Sequence, residues 1–189
     1  MRTTISSFVR VAAVAALFGL GAGASFAAGP VTVNGAPMYA EKNIIQNAVN
    51  SKDHTTLVAA VKAAGLVETL QGTGPFTVFA PVNAAFDALP AGTVDTLLKP
   101  ENKDQLVKVL TCHVVGAKAM AADVQKMITD DGGKHVIETL GGCKLTAEVK
   151  DGMVMLTDET GGTAKVTIAD VVQSNGVIHV IDKVLLPAG

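Results

Sequence analysis

Few side chains in this sequence could do chemistry, and their spacing limits what that chemistry could be. Four histidines, His54, His113, His135 and His179, are the imidazole donors, and no two stand at a ligand spacing such as i, i+4 on a helix. Asp130-Asp131 before Gly132 opens like a calcium loop, but the remaining loop ligands are missing, so a solvated turn is expected. His179 and Asp182 lie three apart in one segment with His113 in another, an arrangement that could hold a general base and its orienting carboxylate. Against this, His179 alternates with Val177 and Ile181, so the favoured reading is a buried ring hydrogen-bonded to hold two strands together. Asp182 is then expected to accept backbone or hydroxyl hydrogen bonds, with Thr77 a candidate partner. Past residue 27 the serines are Ser51 and Ser174, and neither stands in a G-x-S-x-G elbow. Cys112 and His113 are neighbours that would point to opposite faces of a strand, which rules out a side-by-side thiolate pair. Gly72-Thr73-Gly74 leads into a strand and lacks the helix N-terminus of a phosphate loop. The expectation is a protein that is not an enzyme and has no metal or cofactor.

Two apolar stretches must position these groups. The first is GPFTVFAPVNAAFDALP, Gly74 to Pro90, which holds Phe76, Phe79 and Phe86. Phe76 to Ala80 reads as a short strand covered on both faces, and Pro81 ends it because proline cannot donate to a ladder. Asn83 is expected to cap a helix that carries Phe86 and stops at Pro90. The second is Val177 to Ile181, apolar on both faces, entered by a tight turn at Asn175-Gly176 and closed by Pro187. A strand buried on both sides must pair centrally.

Around these anchors the periodicity changes from helical to alternating. Asn43 caps Ile44–Val49, Asp53 begins a helix that Gly65 stops, and Thr93–Leu98, Glu101–Leu110 and Ala119–Met127 follow at helical spacing. His113–Val115 is a short strand, and Val136–Leu140, Cys143–Val149, Met153–Thr157 and Ala164–Val172 are strands separated by glycine-containing turns. Helices followed by a strand meander argue for an α+β fold in one domain. Residues 28–42 contain Pro30, Gly35 and Pro37 and no sustained period, and read as a loose leader to a domain over 43–187.

The first 27 residues read as a secretory signal peptide. Arg2 and Arg10 stand without an acid, Val11 to Ala24 is small and apolar, and Ser25-Phe26-Ala27 fits a cleavage site. Its removal shifts the formal net charge from −2 to about −4 and leaves no arginine and no tryptophan. Without arginine the bidentate recognition of phosphate is absent, so nucleic acid is not an expected partner. The apolar core of the leader is too short for a comfortable membrane span, so no integral membrane segment is expected. Export to an oxidising compartment, periplasmic or extracellular, favours one disulfide between Cys112 and Cys143, with two separately buried thiols as the alternative.

FTVFAPVNAAF at Phe76–Phe86 and NGVIHVIDKVLLP at Asn175–Pro187 resemble the two signature segments of the fasciclin domain. LTCHVV at Leu110–Val115 falls where that family has a Tyr-His pair, and DHTTLVAAVKAAGLVETL at Asp53–Leu70 is similar to the family's opening. The resemblance implies a wedge-shaped β-sandwich of antiparallel strands with several helices along one side. It also implies an exported interaction module working by adhesion, matrix or host contacts, expected as a monomer that meets a protein or cell-surface component. The other functional reading is a periplasmic carrier or sensor for a small apolar ligand. One departure stands out: Cys112 replaces the tyrosine of the Tyr-His pair while His113 is kept. Roles tied to that pair in animal members therefore do not carry over, and the replacement suggests a covalent tie to Cys143.

Overall fold

The structure, a computed structural model, describes residues 31–188. The expected signal peptide over residues 1–27 lies outside that range. A hairpin of β1 (Val31–Val33) and β2 (Ala36–Met38) comes first. Then follow α1 (Ile44–Ala48), a 3-10 turn at Lys52–His54, α2 (Thr55–Ala64), α3 (Val67–Gln71), β3 (Phe76–Pro81), α4 (Asn83–Asp87) and α5 (Thr93–Leu97). A second 3-10 turn at Pro100–Asn102 leads to α6 (Lys103–Thr111), β4 (Val114–Val115) and α7 (Ala121–Asp130). The chain finishes with β5 (Lys134–Glu138), β6 (Lys144–Lys150), β7 (Met153–Thr157), β8 (Thr163–Gln173) and β9 (Gly176–Ile181). This is an α+β arrangement, as the change of periodicity implied.

Strands β3 to β9 form one sheet in the order β4-β3-β9-β8-β7-β6-β5. Every pair is antiparallel except β3 and β9, which run parallel from Phe76 opposite Gly176 to Pro81 opposite Ile181. β8 shifts register twice against β9, between Val166 and Ile168 and between Ile168 and Val171, and such bulges bend a strand and raise its twist.

The two anchor strands therefore lie side by side in mid-sheet, with a hydrophobic core on each face. On one face Val78, Ala80, Ile178 and Val180 meet Ile44, Leu57, Val61, Phe86, Leu106 and Leu110 of the first six helices. On the other, Phe79 and Ile181 meet Leu145, Leu156, Ala164 and Val166 of the meander, with Val124 and Ile128 of α7. All six residues of β9 are buried, the pattern of a strand covered on both sides.

The expectation of a loose leader over 28–42 does not hold for the described part of it. Asn34-Gly35, both at positive φ, turn a hairpin that buries Val33 and Met38 against the helical core. The strands are only three residues long, too short for alternation to register as a period.

The turn into β9 also differs from expectation. Ser174 and Asn175 form it and Gly176 is already strand, opposite Gln173. Glycine is required at 176 by proximity: a Cβ there would lie 2.1 Å from the Phe76 carbonyl oxygen.

Candidate functional site

Most of the polar side chains singled out in the sequence gather in four knots of hydrogen bonds that fasten loops and helix starts around the central strands, whereas His135 pairs with Asp131 outside them. At the first, Asn175 Oδ1 accepts from the Ile44 N–H at 3.0 Å while its Nδ2 donates to the carbonyls of Leu70 and Gly72, both at 2.8 Å. One side chain thus binds the start of α1 and the end of α3 to the β8–β9 turn. Beside it Asn47, fully buried, holds the Tyr39 backbone through both amide atoms and donates to Gln173 Oε1. Sequence reasoning missed Asn47 and Gln173, because a polar residue in a short helix or at a strand end reads as surface until its neighbours are known.

At the second knot, Asn83 does not cap its own helix as expected. Its Oδ1 accepts from the Thr56 N–H at 3.1 Å and its Nδ2 donates to the Lys52 carbonyl at 2.9 Å, so it caps the start of α2 across a separation of 27 residues. The neighbouring Ser51 hydroxyl hydrogen-bonds His54 Nδ1 at 2.8 Å. This is the nearest approach to a nucleophile–base pair among the described residues. Both side chains are buried, and no carboxylate bonds the imidazole. His54 Nε2 has no partner in good hydrogen-bond geometry, although the nearby Ala80 carbonyl favours a proton there. Burial holds the His54 pKa below its ordinary value, the charge of Asp53 opposing this.

The third knot surrounds His179, which stacks on Phe79 with ring centroids 5.8 Å apart. Its Nε2 donates to the Ala119 carbonyl at 2.8 Å and its Nδ1 accepts from the Asp170 N–H at 3.2 Å, which defines a neutral ring protonated on Nε2. Thr77 donates to the Ala117 carbonyl at 2.6 Å and accepts from the Ala119 N–H at 2.9 Å. Asp170, at a φ of 59° within the irregular part of β8, accepts from the Ala121 N–H that starts α7. Thr77, Asp170 and His179 together clamp residues 117–121. Thr77 is therefore not the partner of Asp182, which is exposed and accepts from the Lys165 N–H at 2.7 Å.

His113 organises the fourth. It donates from Nδ1 to the Val109 carbonyl at 2.8 Å and accepts at Nε2 from the Leu185 N–H at 2.9 Å, the opposite tautomer to His179. Asp158 continues the clamp by accepting from the Leu186 N–H at 2.9 Å. The segment that ends at Pro187 is thereby held along the molecule. Full burial depresses the His113 pKa to about 4, opposed by the Val109 carbonyl and Asp158. Burial also lowers that of His179.

Cys112 and Cys143 are joined by a disulfide, their Cα atoms 5.3 Å apart. The bond links the end of α6, just before β4, to the start of β6, and so ties together the two ends of the sheet. Alongside it the Leu140 N–H donates to the Val114 carbonyl and the Gly141 N–H to the Thr111 carbonyl. A Cβ at Gly141 would lie 2.8 Å from the Cys112 nitrogen, so the close approach requires glycine.

These groups can fasten the chain, and their remaining capacity for chemistry is small. Phe76 and Phe86 pack in the helical core, and Pro81 closes β3. Voids of ≈ 20 and ≈ 30 Å³ lie in that core, bounded by residues such as Met38, Leu57, Val78 and Leu110. A third of ≈ 10 Å³ lies between Phe79, Val124 and His179. A drug-sized ligand needs some hundreds of Å³. Among the described residues no three His, Cys, Asp or Glu side chains gather as a metal ion would require. Among them, too, no helix is long and apolar enough to cross a membrane.

The sequence pattern that describes the fasciclin domain matches residues 52–187, and the chain belongs to that family. Protein sll1483 of Synechocystis sp. is 55% identical over 144 residues, which span 76% of this chain and 73% of that protein. Immunogenic protein MPB70 of Mycobacterium bovis is 33% identical over 164 residues, 84% of this chain and 75% of that one. Transforming growth factor-beta-induced protein ig-h3 of Sus scrofa is 37% identical over 131 residues, 69% of this chain but 17% of the longer relative. Among solved structures, a FAS1 domain pair from the insect cell adhesion molecule Fasciclin I superposes with a TM-score of 0.68 at 19% identity. That match covers 77% of this chain and about half, 51%, of the domain-pair chain. At that identity the likeness speaks for the fold.

Proposed function

We propose that the protein is an exported, non-catalytic interaction module that works by surface contact at or outside the cell envelope, in adhesion or in association with a host or partner. The observation that carries this reading is the employment of the buried polar groups. His113 and His179 each spend both ring nitrogens on backbone partners, and Asn175 spends three hydrogen bonds on the start of α1 and the end of α3. Such groups rigidify a scaffold and leave nothing poised to attack a substrate. Fasciclin I, the insect cell adhesion molecule whose domain pair shares this fold, supports the same class of role. The leader peptide, with Arg2 and Arg10 ahead of an apolar stretch, supports export.

The carrier reading needs a closed pocket between sheet and helices; the voids there are of water size, and the depression of ≈ 340 Å³ beside Gly92, Thr96 and Gln105 is open to solvent. Labelled mature protein incubated with envelope preparations and with intact cells tests the proposal. Saturable binding that unlabelled protein displaces is the expected result. Esterase or amidase turnover lost in Ser51→Ala, or a small apolar molecule retained in native mass spectra, would overturn it.

A further inference from the structure

β5 is the last strand of the sheet, and nothing pairs with its outer edge from Lys134 to Glu138 among the described residues. The Thr139 N–H donates to the Cys143 carbonyl, and antiparallel ladder bonds alternate by residue. His135 and Ile137 therefore direct their backbone groups toward β6, whereas Lys134, Val136 and Glu138 direct theirs outward. The free edge ends beyond Glu138, where the Leu140 N–H is taken by Val114. Along it, the side chains of Lys134, Val136 and Glu138 are all exposed, Val136 to 52%.

The five residues Lys-His-Val-Ile-Glu are complementary to themselves. If two copies of β5 meet antiparallel about Val136, the outward backbone groups face each other in hydrogen-bonded register. Lys134 then stands opposite Glu138 of the second copy, Glu138 opposite its Lys134, and the two Val136 side chains meet on the axis. Existing cross-strand neighbours extend the pattern. Lys134 is already paired with Glu148 at 3.4 Å, and Glu138 lies opposite Lys144. Across the junction the order would be Lys144, Glu138, then Lys134 and Glu148 of the second copy, alternating in sign. A slip of two residues places valine against a charge and loses both ion pairs, so one register is preferred. Charged residues on an edge ordinarily deter foreign strands. Here they deter a general partner while matching one in particular.

We propose that this edge is a self-association site, at which a second copy of the chain adds its β5 antiparallel and joins two sheets into one about a twofold axis. The contact is short, so a weak dimer forming at high or locally raised concentration is expected. It goes beyond the surface-contact role and can fail without affecting it.

Sedimentation of the mature protein from low concentration up to about 1 mM, the weak limit for so small an interface, tests this. A monomer–dimer equilibrium is expected. Lys134→Glu and Glu138→Lys should each weaken it by about tenfold or more, since attraction across the axis becomes repulsion. An equimolar mixture of the two variants should recover dimer, because each then faces opposite charges. Val136→Pro, which removes an outward N–H, should abolish both. Circular dichroism and melting temperature identify variants that remain folded. A folded protein that stays monomeric at ~1 mM, or dimers indifferent to all three substitutions, or a mixture no tighter than its components would overturn the proposal.

Discussion

At the scale of single residues, the histidines set how this protein responds to acid. His113 accepts from the Leu185 N–H, and a proton on Nε2 would set two donors against each other in a fully buried place. Its folded pKa is about 4 against an ordinary 6.5. Between those values the unfolded chain binds a proton that the folded chain does not. The stability that depends on His113 is thus complete above about pH 6.5, falls as the pH drops toward 4, and is fully lost below that. The loss from this residue alone is roughly 3 kcal/mol, and the lowered pKa values of His54 and His179 add in the same direction. Denaturant unfolding from pH 7.5 to 4 should show this slope. In His113→Gln, which keeps a donor and an acceptor, the slope should fall by up to one proton's worth. Equal slopes in both proteins would remove His113 from the account.

At the scale of elements, the N-terminal hairpin is part of the domain. Met38 is 3% exposed and packs in the helical core with Val33 and Ile44. Met38→Ala should cost roughly 2–5 kcal/mol of unfolding free energy, as a large-to-small change in a core does. A cost below about 0.5 kcal/mol, the scale of a surface substitution, would mean the hairpin is not docked in solution. The central elements were easier to read than this one. Phe76–Ala80 and Val177–Ile181 are each apolar but for one residue, Thr77 and His179, and such segments are seldom compatible with anything but burial on both faces. Asn83 shows the limit of local reading. Its type announces a cap, but which helix it caps depends on chain 27 residues away.

For the whole molecule, the disulfide ties one end of the sheet to the loop at the other while the β5 edge stays open. It joins the region before β4 to the β5–β6 turn, beside the Leu140–Val114 and Gly141–Thr111 hydrogen bonds. Its cysteines are 31 residues apart, a separation for which loop-closure entropy suggests roughly 3–4 kcal/mol of stabilisation. Reduction, or Cys112→Ser with Cys143→Ser, should lower the unfolding free energy by about that amount. It should also speed hydrogen exchange at the Leu140 and Gly141 amides more than at Val180 in β9. Uniform acceleration across the sheet would mean that the bond stabilises globally without sealing the two ends.

The amino-acid sequence alone determined most of the kinds of elements, the centrality of two strands and the family, and it favoured a bond between Cys112 and Cys143 that the structure then showed. These are carried by predominantly apolar runs, by turn residues and by long motifs, all of which act over a few neighbouring positions. Only the tertiary structure decided that β3 and β9 run parallel, that Asn47, Asn175 and Asn83 fasten distant loops, and that Thr77 serves residues 117–119 and not Asp182. A polar side chain has several possible partners of equal chemistry. Which of them it meets is settled by the packing of the apolar faces, which brings one within 3 Å and leaves the others to water.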